Sequence, residues 1–498
     1  MNESALHELA GGWVWTRLES CIEILDSQRV PINADEREKR IAGKPTSELY
    51  PYYGATGKVG WIDDYLFDEE LVLLGEDGAP FFEQAKNKAY IIKGKSWVNN
   101  HAHVLNAIAD VTLNQFLCNY LNVFDYHGYV TGTTRAKLNQ SPMRKIPIPL
   151  PPLPEQRRIV TKIEELFTRL DAGVSELKKT QAQLKRYRQS VLKAACEGKL
   201  VPTEVELAKV EGRDYEPADV LLARINDIRK RNTKGKYIEM PTLDISDLPK
   251  IPEGWLWVQA QDVCNWITNG YTPKANKMFQ GNGEIPFIKV YNLTNKGELD
   301  FSKNPTFISK ETHKKELSRS KVFPGDILMN IVGPPLGKVS VVPDIFPEWN
   351  INQAIVIYRP LEGFDKKFLC YSLLTDNILS WAIKRSKATA GQFNLTITIC
   401  RNLPLPLPPL AEQRRIVAEV ERRLSVADEV ARTVEHSLVQ AQRLRQSILK
   451  KAFEGRLVAQ DANDEPAGAL VERIRQQKQL SNQTNKTTRR KANGNKSR

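Results

Sequence analysis

From residue 155 to 195, apolar side chains recur every seven positions. Ile163, Leu170, Leu177, Leu184 and Val191 form one row, with Ile159, Leu166 and Tyr187 on the companion position of the same face. Such a repeat predicts a coiled-coil helix about 60 Å long at 1.5 Å per residue. A second, less regular stripe runs through Ile416, Val420, Leu424, Ala427, Val434, Leu438, Ala441 and Ile448. Pro147, Pro149, Pro151, Pro152 and Pro154 forbid helix before the first stripe and impose an extended lead-in. Gly198 and Gly455, each followed two residues later by Leu-Val, fit helix stops with an apolar contact after the glycine. A helix with one apolar seam is unstable alone in water, so two of them in one chain predict a helix pair. The competing arrangement packs each helix separately on its own domain.

Outside these stripes the pattern changes to short runs typical of strands: YIIKG at Tyr90, IPFIKVYNL at Ile285, DILMNIVG at Asp326, KVSVVP at Lys338 and AIVIY at Ala354. Gly, Asn and Pro punctuate them. A helical pattern is read in VLNAIADVTLNQFLCNYL from Val104. Trp13, Trp15, Trp255 and Trp257 alternate as on a half-buried strand and are assigned to the core. The fold class expected is α+β.

The two stripes belong to an internal duplication. The segment from Arg144 (RKIPIPLPPLPEQRRIV) recurs from Arg401 (RNLPLPLPPLAEQRRIV) at an offset of 257, with 27 of 58 aligned positions identical through EGKLV and EGRLV. Identities gather at PLPPLxEQRRIV and at the helix ends. Between Arg169 and Ala182 only Asp171, matching Asp428, is retained. GWVW at Gly12 pairs with GWLW at Gly254, and EPADVLLARI from Glu216 echoes EPAGALVERI from Glu465. The sequences between these landmarks differ in length and share little. Repeated connectors joined to unlike globular parts suggest one common docking task and two different recognition tasks. A pseudo-twofold relation between the halves would make the helices antiparallel. The boundaries expected are a first globular domain over 1–145, a first helix over 146–201, a linker with a short helix over 202–251, a second domain over 252–402, a second helix over 403–458, and a short helix with a basic disordered tail over 459–498.

Composition narrows the function. The 498 residues are 41% hydrophobic and 26% charged, as in a soluble globular protein. Basic residues exceed acidic ones by 13, pointing to a polyanionic partner. Six of those charges lie in the last twenty residues, leaving +7 over the other 478, so any nucleic-acid surface in the body must be local. The six cysteines are at least thirty residues apart, which suits reduced structural thiols. No apolar run reaches the roughly 20 residues that cross a bilayer, and a cytoplasmic location is expected.

Catalytic signatures are weak. The stretch Gly333 to Val339 (GPPLGKV) lacks the GxxxxGK[ST] phosphate-loop spacing and reads as a turn. His101 and His103 have alternate-residue spacing but no third metal ligand in sequence. Asp344 with Asp365, Lys366 and Lys367 fits only a permissive nuclease pattern. What remains is a set of loop residues of the types that contact bases and phosphates. In the first domain these are Tyr52, Tyr53, Lys58, Lys95, Asn99, Asn100, His101, Thr133, Thr134, Arg135 and Lys137. In the second they are Asn269, Tyr271, Lys289, Tyr291, Asn292, Asn330, Lys338, Asn352, Gln353, Gln392 and Asn394.

The chain resembles the specificity subunit of type I restriction-modification systems over nearly its whole length. The resemblance is carried by the paired PLPPLPEQRRIV and PLPPLAEQRRIV, each opening a long helix, and by YPYYGATGKVGWIDDY, WVNNHAHVL and GDILMNIVGPPLGKV. It implies two target recognition domains on an antiparallel coiled coil, each reading one half of an asymmetric, bipartite double-stranded DNA site. It implies no catalytic residue, metal or cofactor in this chain. S-adenosylmethionine would belong to two partnering modification subunits, and ATP and magnesium to restriction subunits that join through the complex. No membrane partner is expected. Two other readings stay open: the DNA-recognition part of a self-sufficient restriction or methylation enzyme, and a protein scaffold that does not bind DNA.

Overall fold

A computed structural model describes residues 8–132, 134–232, 243–389, 392–473 and 476. The chain forms two compact units, Met1–Lys178 with Glu435–Arg498, and Lys179–Val434. Each of the two 44-residue helices, Leu153–Cys196 and Leu410–Phe453, contributes one part to each unit.

In the first unit an antiparallel sheet has the order Ile22–Ile24, Ala102–Ala107, Leu71–Gly75, Ala89–Ile92. A second sheet orders Gly57–Ile62, Tyr50–Gly54, Lys95–Val98 and Phe67–Asp68, and its Tyr50–Gly54 and Lys95–Val98 strands run parallel. The second unit repeats the plan. Its antiparallel sheet orders Cys264–Asn269, Ile355–Pro360, Ile327–Asn330 and Val339–Val341. Its other sheet has five strands, in which Ile285–Ile288 and Trp349–Ile351 form the parallel pair. Two globular parts that share little sequence therefore share a strand order.

The repeated motifs build the same frame in both units. Val14–Arg17 pairs antiparallel with Pro147–Leu150, and Leu256–Gln259 with Pro404–Leu407, so each GWxW strand is sealed by its own proline lead-in. Proline suits this two-stranded ribbon, where only one edge requires ladder hydrogen bonds. The helices that follow are anchored by buried side chains. Gln156 Nε2 donates to the Pro151 carbonyl at 3.0 Å and Gln413 Nε2 to Pro408 at 2.9 Å. Glu412 accepts from Trp255 Nε1 at 3.0 Å and from the Glu204 amide at 2.8 Å. Burial pushes the carboxyls of both Glu155 and Glu412 above the ordinary range, outweighing the donors around them. The second arginine of each EQRR holds the segment after the other helix: Arg158 pairs with Asp464 in the first unit and Arg415 with Glu204 in the second.

Within each unit the helix segments are paired and antiparallel. In the first, Ile159 and Ile163 share a core with Ile448, Leu449 and Ala452, while Arg445 pairs with Asp171 and lies 4.2 Å over the Phe167 ring. In the second, Val191, Leu192 and Ala195 share a core with Ile416, Val420 and Leu424, and Arg188 pairs with Asp428. Asp171 and Asp428 are equivalents at the repeat offset, as are Arg188 and Arg445. The one residue retained in the variable middle of the helix is thus half of an inter-helix ion pair made twice.

Both helix cores also include recognition-domain residues, so each helix end packs on its domain as well as on its partner. That double covering explains the seam's uneven burial. Ile159, Ile163, Val191, Ile416, Val420, Leu424, Val434 and Ile448 are buried, whereas Leu166, Leu170, Leu177, Leu184 and Leu438 are only partly covered. Tyr187, expected on the seam, is 42% exposed.

Other expectations change. The helix read from Val104 begins only at Asn114: Ala102–Ala107 is instead the strand between Leu71–Gly75 and Ile22–Ile24, and Val104 and Leu105 are fully buried there. The stretch read as a linker with a short helix carries two helices, Glu204–Glu211, opened by a Thr203–Glu206 capping box, and Ala218–Asn232. Ala218 takes the same place as Ala467, its amide donating to Gly254 O as that of Ala467 donates to Gly12 O. Arg224 and Arg473 likewise pair with Glu216 and Glu465. The tail beyond Gln479 lies outside the described residues. All six cysteines are buried and unbridged, and burial pushes the thiols of Cys118 and Cys196 up to about 12, consistent with a structural role.

Candidate nucleic-acid interface

In the first unit, turns converge at one end of the two sheets. The hairpin between Tyr50–Gly54 and Gly57–Ile62 is tied to the sheet by Tyr90, whose hydroxyl donates to Gly54 O at 2.5 Å. Asn99 lies against that turn: a Cβ on Gly54 would stand 3.1 Å from Asn99 Nδ2. The Glu76 amide donates to His101 O at 2.8 Å, and Thr131 and Lys137 form a bridge beside Glu76 and Asp77. The fold thus gathers Asn99, Asn100, His101, Thr134, Arg135 and Lys137. Asn100, Thr134, Arg135 and Lys137 are exposed, as is Lys58 on the hairpin. The basic side chains are held rather than free. Arg135 pairs with Asp77 at 2.6 Å, Lys137 approaches Glu76 at 3.7 Å, and Lys58 Nζ stands 3.1 Å over the Trp61 ring. Lys95, also exposed, lies elsewhere on the second sheet, 4.6 Å over Tyr65.

In the second unit the gathering is tighter. A Cβ on Gly270 would fall 2.2 Å from Ile351 O, so only glycine allows the Asn269–Tyr271 turn to press against residues 351–352. The Asn352 amide donates to Ile288 O beside Lys289, the Ile331 amide to Ala354 O, and the Leu395 amide to Ile331 O. Asn269, Tyr271, Lys289, Lys338, Asn352, Gln353 and Asn394 therefore share one rim. Tyr271, Gln353 and Asn394 are exposed, and the Thr272 hydroxyl donates to Gln353 Oε1.

Four candidates are structural instead. Tyr52 is 3% exposed, its hydroxyl donating to Ile32 O at 3.2 Å. Asn292 is buried, donating to Asp300 O and Lys303 O and accepting from the Lys289 amide. Asn330 is buried and clasps the GPPLG turn through Val332 O, Pro335 O and the Lys338 amide. Tyr291 spends its hydroxyl on Asn304 O at 3.0 Å. Tyr53 is half-buried beside Tyr90, and Asn99, 8% exposed, accepts from the His101 amide. Thr133 lies outside the described residues. Gln392 lies on the strand Gln392–Asn394.

The catalytic candidates resolve into structure. Asp365 caps the helix Lys366–Leu373, accepting from the Lys367 and Phe368 amides, and Lys367 pairs with Glu421. His103 is buried, its Nδ1 2.6 Å from Asp26 and its Nε2 2.8 Å from Leu138 O. Asp26, Glu76 and His103 place ligand-type atoms within 4.8 Å of one another, but Arg29 lies among them, 2.8 Å from Glu76 and 3.5 Å from Asp26. Burial alone would raise the Asp26 carboxyl. Hydrogen bonds from His103 and the Val104 amide, with the charges of His103 and Arg29, outweigh it and hold the carboxyl below its ordinary value.

Of the four GWxW tryptophans expected in the core, Trp13 and Trp255 are buried, whereas Trp15 and Trp257 are only partly buried and line clefts. Their strict alternation was the signal, since a strand in a two-stranded ribbon has one outward face.

A family model described as "Type I restriction modification DNA specificity domain" matches residues 12–184 and 252–425, one match in each half of the duplication. The chain belongs to this family. It is 29% identical over 401 residues to the type I restriction enzyme EcoBI specificity subunit of Escherichia coli, covering 74% of this chain and 76% of that one. It is 24% identical over 439 residues to the putative type I restriction enzyme specificity subunit S.HindORF215P of Haemophilus influenzae, covering 86% and 92%. Among solved structures, a chain from work on the assembly and conformational transition of the type I R-M system matches with a TM-score of 0.57 at 18% identity, covering 91% of this chain and all of that one, which is a likeness of fold. No helix among the described residues is long and apolar enough to cross a membrane.

Proposed function

We propose that the chain is the sequence-reading, non-catalytic subunit of a type I restriction-modification complex. Each recognition domain reads one half of an asymmetric bipartite DNA site, and the paired helices set the unspecified spacer between the halves. Membership of the family supports the class. The reading of two half-sites rests on one observation in particular: each unit carries its own rim of polar and basic side chains, built from Asn99, Asn100, His101, Thr134, Arg135 and Lys137 in the first and from Asn269, Tyr271, Lys289, Lys338, Asn352, Gln353 and Asn394 in the second, and the two sets differ in composition.

Physically, exposed amides such as those of Asn100 and Asn394 can pair with adenine edges, and Lys58, Lys289 and Lys338 with phosphates or guanine. Two readers on a stiff frame bind one duplex together only where the half-sites have matching separation and phase. A 44-residue helix rises about 66 Å, which bounds the separation at roughly 19 base pairs. On this reading the helix pair also docks two modification subunits, which carry S-adenosylmethionine and recruit the restriction subunits with their ATP and magnesium.

The test is to map methylated adenines in DNA from cells carrying this chain with its modification partner. Exchanging residues 12–145 for the corresponding domain of another family member should replace one half of the methylated site and leave the other. Replacement of both halves, or of neither, would overturn the reading.

A further inference from the structure

Among the described residues two histidines are fully buried, one beneath each rim. His103, in the strand Ala102–Ala107, meets the arm returning from the first rim: its Nε2 stands 2.8 Å from Leu138 O, next in sequence to Lys137. Both partners of this ring are acceptors. Nδ1 is 2.6 Å from Asp26 Oδ2, and Nε2 faces a backbone carbonyl, which can only accept. Two acceptors are satisfied only when both ring nitrogens carry protons, so the ring is an imidazolium. The surrounding charges agree. Asp26 and Glu76, the latter 3.7 Å from Nδ1, bring two negative charges, and Arg29 between them brings one positive. The protonated ring makes the buried group neutral. Also packed here are the Val104 amide and Gln140 Nε2, both donating to Asp26, and Lys137 Nζ, 3.7 Å from Glu76.

His313, in the short helix Lys310–Lys315, meets Asn350 on the strand Trp349–Ile351, which runs on into Asn352 and Gln353 of the second rim. Here one partner is a donor. Asn350 Oδ1 accepts from the Ile351 amide at 3.0 Å and from the Ser320 hydroxyl at 2.7 Å. Its Nδ2 is therefore the atom that donates to Leu317 O at 3.1 Å and to His313 Nδ1 at 3.0 Å. Nδ1 must be free of a proton, and the ring's single proton sits on Nε2, donating to Glu348 at 3.0 Å. A second proton would set one N–H against another in a buried site. Lys321, 3.8 Å from Glu348, and Lys314 complete the charged surroundings. Burial, helped by those lysines, outweighs Glu348 and holds the imidazole below its ordinary value.

We propose that His103 and His313 are positioning residues for the two readers, and that their opposite hydrogen-bond demands give the two half-sites opposite pH dependence. The inference rests on the reading of two half-sites above and concerns how each rim is held. Neither ring is exposed enough to reach a base; each acts through the carbonyl or amide that it fixes. His103 holds both Asp26 and Leu138 O only while it keeps two protons, so the arm carrying Arg135 and Lys137 is released as pH rises. His313 works in the other direction. Its folded value lies below the ordinary one, so its contribution is present above about pH 6.5 and is lost as pH falls through the folded value. Protonation there breaks the bond to Asn350 and loosens the strand that leads to Asn352 and Gln353.

The experiment uses the full chain with its modification partner and three duplexes: the mapped methylation site, and that site with one half or the other scrambled. The exchange of residues 12–145 assigns each half to its domain. Dissociation constants from fluorescence anisotropy at about pH 5.5, about pH 7 and about pH 8.5 give the discrimination against each scrambled half, a ratio in which pH effects common to all three duplexes cancel. Discrimination at the first domain's half should fall at least about threefold between the lowest and highest pH, and that at the second domain's half should fall by about as much in the opposite direction. His313→Gln, whose amide can accept from Asn350 and donate to Glu348, should keep discrimination at neutral pH and abolish its decline in acid. His103→Gln supplies only one of the two donors and should weaken reading of the first half at every pH, with a flat profile. Two halves whose discrimination changes in the same direction, flat profiles in the unaltered chain, or an acid decline that survives His313→Gln would overturn the proposal. A complex that binds intact and scrambled duplexes alike at every pH would instead defeat the reading of two half-sites.

Discussion

The two units differ in opposite ways in their frames and their readers. In the frames, sequence is retained at the positions that make specific contacts: Trp13 and Trp255 are buried, Gln156 and Gln413 tie back to a proline carbonyl, and Asp171 and Asp428 meet Arg445 and Arg188. In the readers, strand order is retained while sequence is not. The difference shows where constraint lies. A frame position makes a specific polar or close-packed contact that few residue types satisfy, whereas a sheet interior asks only for apolar volume in the right alternation. Rim loops are free to change once their ends are fixed by the strands.

The largest expected effect tests the equivalence of the frames. Trp255→Ala and Trp13→Ala should each cost about 3–5 kcal/mol of stability in their own unit, and Trp257→Ala and Trp15→Ala about 1 kcal/mol, read by chemical denaturation. A large gap between Trp13 and Trp255 would break the comparison.

Next comes a difference between the readers. The Asp26–His103–Arg29 cluster belongs to the first unit. Because the folded protein holds the Asp26 carboxyl below its ordinary value, its stabilisation is present above about pH 4 and is lost as pH falls through the folded value. Asp26→Asn should therefore destabilise the first unit by about 2 kcal/mol at neutral pH and flatten the acid limb of its stability curve. An unchanged acid limb would show that the cluster is not stabilising.

Asn100→Ala and Asn394→Ala sharpen the comparison at the rims. Each should weaken binding by about 1–2 kcal/mol and relax one half of the methylated site, the first affecting one half and the second the other. Relaxation of the same half by both would contradict separate readers. The smallest effect concerns the ion pairs. Asp428 is 30% exposed and meets both Arg188 and Lys296, which overcome its burial and lower its pKa, while Asp171 is 62% exposed and meets Arg445. Asp428→Asn should cost about 1 kcal/mol and Asp171→Asn about half that or less, measured as shifts in unfolding midpoint.

Much of the frame was legible in sequence because it is written twice. The offset of 257 marked both helices, both proline lead-ins and both helix stops; of the heptad row, Ile163 and Val191 lie in the cores, whereas Leu170, Leu177 and Leu184 are only partly covered. Burial along the seam was not legible, since it depends on which helix positions the recognition domains cover as well. The rims were legible in part. Residue type alone cannot separate an Asn that faces solvent, such as Asn394, from Asn292 and Asn330, which turn inward to bind backbone carbonyls. That choice is made by turn geometry, and the same ambiguity hid Tyr52. The false helix at Val104 arose because a fully buried strand places apolar residues consecutively, as a buried helix does.

In the proposed function the frame fixes spacing while the rims fix bases. Inserting four residues, about 6 Å of rise, into both long helices at the equivalent positions after Lys178 and Glu435, and sequencing the methylated DNA, tests it directly. The spacer should change between two unchanged half-sites; altered half-sites with the original spacer would show that the helices do not set the spacing.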